Sequence, residues 1–380
     1  MQPCFAIYAM EKETIMVRKH YEALHRIPEQ AFQEFRTTAY IEQALQDAGY
    51  TPTRLTETGL YADLCRDPSL PWLLFRADID GLPVTEETDL PVKSEIDGMM
   101  HACGHDVHAA MLLTAAIRLK NCVLPCNIRF LFQPAEEITA GAQKAIEAGV
   151  IPMHTVAAFG FHVWPQVPKG KIVAKAGPLM ASSTCIQVDC VGKNAHCSKR
   201  SEGADALLTA ARIATRFREA ETMANGDGTV LFCGKLHSGT AYNIVSAEAQ
   251  IVGTLRSYSD QSRERVLYKL KEIVQQSAAE FGTQATLSAY GYNPAVINPE
   301  TLAEELMTVL PEAISDYQPS LAAEDFARYQ HQVPGMLLWL GVGDTAALHN
   351  GKFAVPEEVL TVGVETWIRI ANHEWSAGSL

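Results

Sequence analysis

Cys103 and His105, one residue apart in HACGHD, pair a soft thiolate donor with an imidazole, a combination that favours a borderline metal ion. A magnesium or calcium cage would draw on carboxylates, carbonyls and water instead. The residues that follow, DVHAAMLLTAAIRLK, are apolar at helical spacing, which predicts a helix with the pair at its N-terminal mouth, where the backbone field favours a thiolate. Read alone, the hexapeptide is equally a glycine-containing helix entry with an incidental cysteine.

Other candidate groups recur at the ends of predicted strands. WLLFRA runs into Asp78 and Asp80, NIRFLFQ into Glu136 and Glu137 of PAEE, and TVAAFGFH ends in His162. His349 lies in ALHNGKF, after the run GMLLWLGVG. Carboxyl ends of strands are where open α/β sheets build their sites. Taken singly, a lone histidine is a satisfied core or surface residue and paired glutamates before a helix serve its dipole. As a set, Cys103, His105, Glu137, His162 and His349 exceed one tetrahedral site and suggest two metals sharing a bridging water. Glu136 then stands beside a ligand and can carry the water's proton, while Asp80, and in the same way Asp106, would orient ligands.

The elements that must position these groups follow from periodicity. EKETIMVRKHYEALHRIPE predicts a helix ending at Pro28, and a second helix is expected from Phe32 to about Ala48. GLYADLC adds a strand. From Gly177 the pattern changes to β-α-β-β-α-β, a small antiparallel sheet with two helices on one face. The expected division is therefore a first part of the catalytic domain over 1–176, an inserted domain over 177–291, and the rest of the catalytic domain over 292–380. In the insert, His196, Asn243 and Arg256 are polar groups with little use in packing: a guanidinium and an amide suit a substrate carboxylate, and a histidine can polarise a carbonyl.

Composition narrows the class. The chain has 380 residues, is 47% apolar and carries a formal charge of −13 with a pI near 5.4, which argues against nucleic acid or an anionic membrane as partner. No apolar run approaches a membrane span. Nine scattered cysteines suit a reducing cytosol without disulfides. MQPCFAIYAM lacks the features of a secretory signal and reads as a loose leader, or as a start upstream of the natural one.

In order, HRIPEQAFQEF, RADIDGLP, HACGHD, FQPAEE, FGFH, GTAYN, GTLR, AEDFA and the LH loop resemble the amidohydrolase branch of the dinuclear metallopeptidases. That branch includes hippurate hydrolase, indole-acetyl-amino-acid hydrolases and N-acetyl-diaminopimelate deacetylase, with carboxypeptidase G and aminoacylase as more distant relatives. The resemblance implies an α/β catalytic domain with a parallel-rich mixed sheet flanked by helices, and an inserted lid that makes a homodimer. It implies two divalent ions (Zn, Mn, Co or Ni) on Cys103, His105, Glu137, His162 and His349, with Glu136 as general base. His196 matches a histidine that reaches the neighbouring subunit's site; Asn243 and Arg256 match groups that bind the substrate carboxylate, and Glu324 an acidic residue near the substrate face. The chain departs from the family at Asn350 and Gly351, where members often carry His-Pro, and at GKNAHCSKR, which replaces GKGGHAA. The expected activity is cleavage of an N-acyl amino acid in the cytoplasm, with N-acetyl-diaminopimelate deacetylation as the alternative. A catalytically silent binding protein would show disrupted ligands, and a structural zinc site would be a closed set at short spacing.

Overall fold

A computed structural model describes residues 3–375, with side chains from Glu13 onward. These divide into two compact units, residues 3–179, 297–318 and 325–375, and residues 180–296 with 319–324.

The first unit is built on a seven-stranded mixed sheet. Its order is Thr53–Arg54, Leu60–Leu64, Asn127–Gln133, Trp72–Asp78, Thr155–Pro165, Gly335–Gly343 and Ile172–Val173. The four strands from Asn127–Gln133 to Gly335–Gly343 run parallel, and the edges are antiparallel. Central parallel strands are covered on both faces and so read as nearly continuous apolar runs. Gly335–Gly343 is buried along all but its last residue. The helices Pro3–His25, His105–Leu119 and Glu358–Ala371 pack on one another. Trp367 of the last of these lies 4.5 Å from the Phe75 ring and 4.6 Å from that of Phe161, joining helix to sheet. Truncating so large a buried ring typically costs about 3–5 kcal/mol.

Two local expectations are corrected. The second helix is Phe35–Asp47; it cannot include Phe32, whose φ is +59° and whose N–H is taken by Glu34 Oε1. The leader was expected to be loose, yet from Pro3 the backbone continues into the Pro3–His25 helix, with proline at the first helical position, where an N–H would lack an intrahelical partner anyway. Met1 and Gln2 lie outside the described residues.

The second unit is a four-stranded antiparallel sheet, ordered Val230–Ser238, Glu248–Ser257, Ser182–Val191, Gln284–Asn293. Strict alternation of buried and part-buried residues along Ser182–Val191 gives it one packed face. Ile186, Val188, Ile251 and Leu255 meet Ile213, Leu270 and Ile273 of the helices Ala206–Thr215 and Asp260–Phe281. Asp205 and Ser259 cap those helices by accepting the N–H of Leu208 and Ser262. The segment 319–324, expected in the catalytic domain, groups with this unit because the Ala181 N–H donates to the carbonyls of Ser320 and Ala322.

Among the described residues no helix is long and apolar enough to cross a membrane, and every cysteine whose side chain is described is free.

Candidate metal centre

The parallel strands deliver their side chains to one end of the sheet. Asp78 closes its strand and Asp80 lies two residues beyond; Glu136 and Glu137 follow Gln133 through a turn in which Ala135 adopts φ +56°. His162 was expected at a strand end but lies inside Thr155–Pro165, because pairing with Gly335–Gly343 carries that strand on to Pro165. Gly104, with φ +83°, separates Cys103 from the helix His105–Leu119; a Cβ there would stand 2.4 Å from Val163 Cγ2, so the close approach requires glycine. His349 sits at φ +63° with its N–H donated to the Ala102 carbonyl at 2.8 Å, which places it beside HACGHD. Two non-glycine residues in the left-handed region flanking one cluster are strain of the kind that functional sites hold.

The five expected ligand residues converge. Cys103, His105 and His162 form one group whose donor atoms lie within 4.8 Å of one another, and Cys103, Glu137 and His349 form a second. Cys103 Sγ belongs to both, at 3.4 Å from His162 Nε2. His349 Nε2 is 3.4 Å from Glu137 Oε2, and His105 Nε2 is 3.8 Å from Glu137 Oε1. His162 donates its Nδ1–H to the Val163 carbonyl at 2.7 Å, leaving Nε2 to face the sulfur. Among the described residues, His105 Nε2 and Glu137 Oε1 are buried polar atoms with no hydrogen-bond partner. Orphaned polar atoms of this kind are costly in a dry site and fit a cation between them. A third group, Asp78, His105 and His108, is spent on hydrogen bonds: His108 Nδ1 donates to Asp78 Oδ1 at 2.6 Å and Nε2 accepts the Val163 N–H at 2.8 Å.

The electrostatics describe a site short of positive charge. Burial opposes a charged His105, but Asp78, Asp80 and Glu137 outweigh it and lift its pKa to about 10, so a proton stands where a cation would. Burial, reinforced by His108, holds His162 well below the ordinary imidazole value, the neutral form a ligand needs. Cys103 corrects an expectation. Burial, with Glu137, Glu136 and Asp78 nearby, pushes its thiol well above the usual range, so burial and these carboxylates outweigh the helix field. The thiolate there needs a metal to stabilise it.

Asp80 fastens this cluster. It accepts the N–H of Glu136 at 3.1 Å, the N–H of Glu137 at 3.0 Å and a contact from His105 Nδ1 at 3.2 Å. Glu136 Oε1 accepts the Asp325 N–H at 3.3 Å, and Oε2 lies 3.9 Å from His105 Nε2. Asp106 does not orient a ligand; its carboxylate meets His25 Nδ1 at 2.6 Å and ties HACGHD to the N-terminal motif. Sequence reasoning missed four contributors. Glu34 supports the Ala135 turn by accepting its N–H at 2.9 Å. Arg76, fully buried, bridges Asp78 and Asp325 at 2.6 and 2.8 Å, and His108 joins Asp78 to the His162 strand. His108 was findable, being three residues after His105 on one helix face.

In the second unit, exposed His196 and half-buried Asn243 lie side by side, with Nε2 and Nδ2 3.5 Å apart. Half-buried Arg256 is elsewhere. The pairing of Glu248 with Val191 and of Arg256 with Ser183 puts it eight residues along the strand, roughly 27 Å from the end that His196 and Asn243 extend. One chain therefore cannot close Asn243 and Arg256 on a single carboxylate. Glu324 is buried, its carbonyl accepting the Asn293 Nδ2–H at 3.0 Å.

Residues 74–373 match the model of the peptidase family M20/M25/M40. The chain is 34% identical over 357 residues to N-acetylcysteine deacetylase of Bacillus subtilis (strain 168), covering 92% of this chain and 94% of that one. It is 34% identical over 356 residues to N-acetyldiaminopimelate deacetylase of Streptococcus suis (strain 05ZYH33), covering 90% and 95%. A Bacillus subtilis dinuclear metal-binding peptidase of the M20 family superposes with a TM-score of 0.84 at 32% identity, over 95% of this chain and 98% of that one. With a parallel-rich sheet that gathers the motif residues at one end, and likeness along nearly its whole length, the chain belongs to the peptidase family M20/M25/M40 and is a metal-dependent hydrolase.

Proposed function

We propose that the chain hydrolyses the amide bond of N-acyl amino acids in the cytoplasm, using two divalent ions drawn from Zn, Mn, Co or Ni. The observation that carries this reading is the Cys103 sulfur common to two ligand groups, Cys103, His105 and His162 for one ion and Cys103, Glu137 and His349 for the other. Bound there, such ions supply Lewis acidity toward the acyl oxygen and lower the pKa of water. Glu136 Oε2 takes the proton of the attacking water and returns it to the amine nitrogen as the amide bond breaks. Asp80 holds the turn that aims Glu136 and Glu137.

Arg256 anchors the free carboxylate of the substrate in its own subunit. His196 and Asn243 serve the site of a second copy in a homodimer joined through the second unit; their separation from Arg256 supports this arrangement. Glu324 belongs to the substrate face. The two deacetylases at 34% identity support a small acyl group, and the Streptococcus suis relative supports N-acetyldiaminopimelate as a second reading.

The test is a metal-supplemented panel of acetyl, benzoyl and indole-acyl amino acids, with N-acetylcysteine and N-acetyldiaminopimelate included, read by amine release. Glu136→Gln should lower turnover about 10²–10⁴-fold with ion content unchanged. Wild-type turnover in that variant would remove Glu136 from its role.

A further inference from the structure

The strand Thr155–Pro165 has unequal neighbours. Gly335–Gly343 accompanies it through Pro165, but Trp72–Asp78 pairs with it only as far as Arg76 opposite Gly160. Beyond that level the sheet is open on one side, and a backbone N–H facing the opening must find another acceptor or bear the cost of burial without one. The Val163 N–H finds His108 Nε2 at 2.8 Å. An accepting Nε2 places the ring proton on Nδ1, which donates to Asp78 Oδ1 at 2.6 Å, and Asp78 is in turn held by Arg76 at 2.6 Å. The same residue, Val163, has a carbonyl that accepts His162 Nδ1–H at 2.7 Å and so leaves the Nε2 lone pair of His162 facing Cys103. His108 is 1% exposed and both of its nitrogens are used.

We propose that His108 is a positioning residue for the ligand His162, standing in for the strand neighbour that the sheet lacks at that level and fixing, through Val163, both the aim and the tautomer of the ligand. This rests on the two-metal reading above. Partners behind a metal-binding histidine set its orientation and basicity, and their removal costs about 10–100-fold in affinity. The effect is selective. Only the ion held by Cys103, His105 and His162 depends on Val163, whereas the ion held by Cys103, Glu137 and His349 does not.

The experiment is titration of the full ion-free chain with Zn²⁺ against a chromophoric chelator, with melting of each ion-free protein measured alongside. Wild type should bind two ions. His108→Phe, which keeps a ring and loses both hydrogen bonds, should bind one ion as wild type does and the other about 10–100-fold more weakly. His108→Gln carries an amide oxygen to the Nε2 position and should recover most of that loss; His108→Asn, which reaches Asp78 but not Val163, should not. A purely structural histidine would lower the melting temperature and leave the ratio of the two affinities untouched. Two ions at wild-type affinity in His108→Phe overturn the inference alone. Should that variant fail to fold, equal affinities in the Gln and Asn variants overturn it. A wild-type chain that binds no ions removes the two-metal reading and this inference together.

Discussion

Asp80 Oδ2 accepts the backbone N–H of Glu137 at 3.0 Å, so the turn bearing a proposed ligand and the proposed base is fastened from a neighbouring strand. Its other oxygen serves Glu136 N–H and His105. In Asp80→Asn one of those positions becomes an NH₂ facing a donor. Ion affinity should fall about 10–100-fold and kcat should fall even at saturating metal, as measured by ion titration with steady-state kinetics. A variant with normal kcat would show that the turn keeps its shape unaided.

Cys103 is shared, and His349 is not. Cys103→Ala should weaken both ions, whereas His349→Ala should weaken one and leave about one tightly held ion per chain. Ion content after gel filtration distinguishes them. Equal loss in the two variants would mean that the sulfur serves a single ion.

The distance between His196 and Arg256 along the second unit leads to a mixing experiment. His196→Ala and Glu136→Gln are each expected to be nearly inactive. Mixed after dissociation, they should regain about a quarter of wild-type activity, because half of randomly exchanged twofold dimers are mixed and each then carries one complete site. No regain would place His196 in the site of its own chain.

Acid stability should depend on His20, which is not one of the cluster residues. Burial, with Lys19 adding to it, holds this imidazole down to about 4, while Nδ1 meets Tyr40 Oη at 2.9 Å. Between that value and the unfolded value of about 6.5 the unfolded chain binds more protons, so the stabilisation is complete above the upper figure and lost as pH falls toward the lower. The loss amounts to about 3 kcal/mol at most. His20→Gln should flatten the profile of unfolding free energy against pH across that window, measured by urea titration at several pH values. An unchanged slope would mean that His20 titrates normally.

The convergence of the proposed ligands was readable because they sit where strand and loop punctuation puts them. Apolar runs marked the strands, and their ends marked Asp78, Glu136 and Glu137. What escaped depends on long-range partners. Arg76 and Asp325 meet across 249 residues, and nothing in either local pattern announces the pair. Asn243 and Arg256 looked like one carboxylate clamp because both are polar interruptions in the insert, but the length of a ten-residue strand stands between them. Cys103 was misjudged in its charge, since a helix terminus is visible in a sequence and three crowded carboxylates are not.

The shared sulfur at Cys103 and the imidazole of His349 come from opposite stretches of the polypeptide, and they meet only after the Gly335–Gly343 strand has docked beside Thr155–Pro165. Pairings of such high sequence separation form slowly and late. An ion held by Cys103, Glu137 and His349 then cannot template early collapse, whereas Cys103, His105 and His162 close a much shorter loop. That ion acts as a latch on a nearly finished molecule, adding to its resistance to unfolding by mass action.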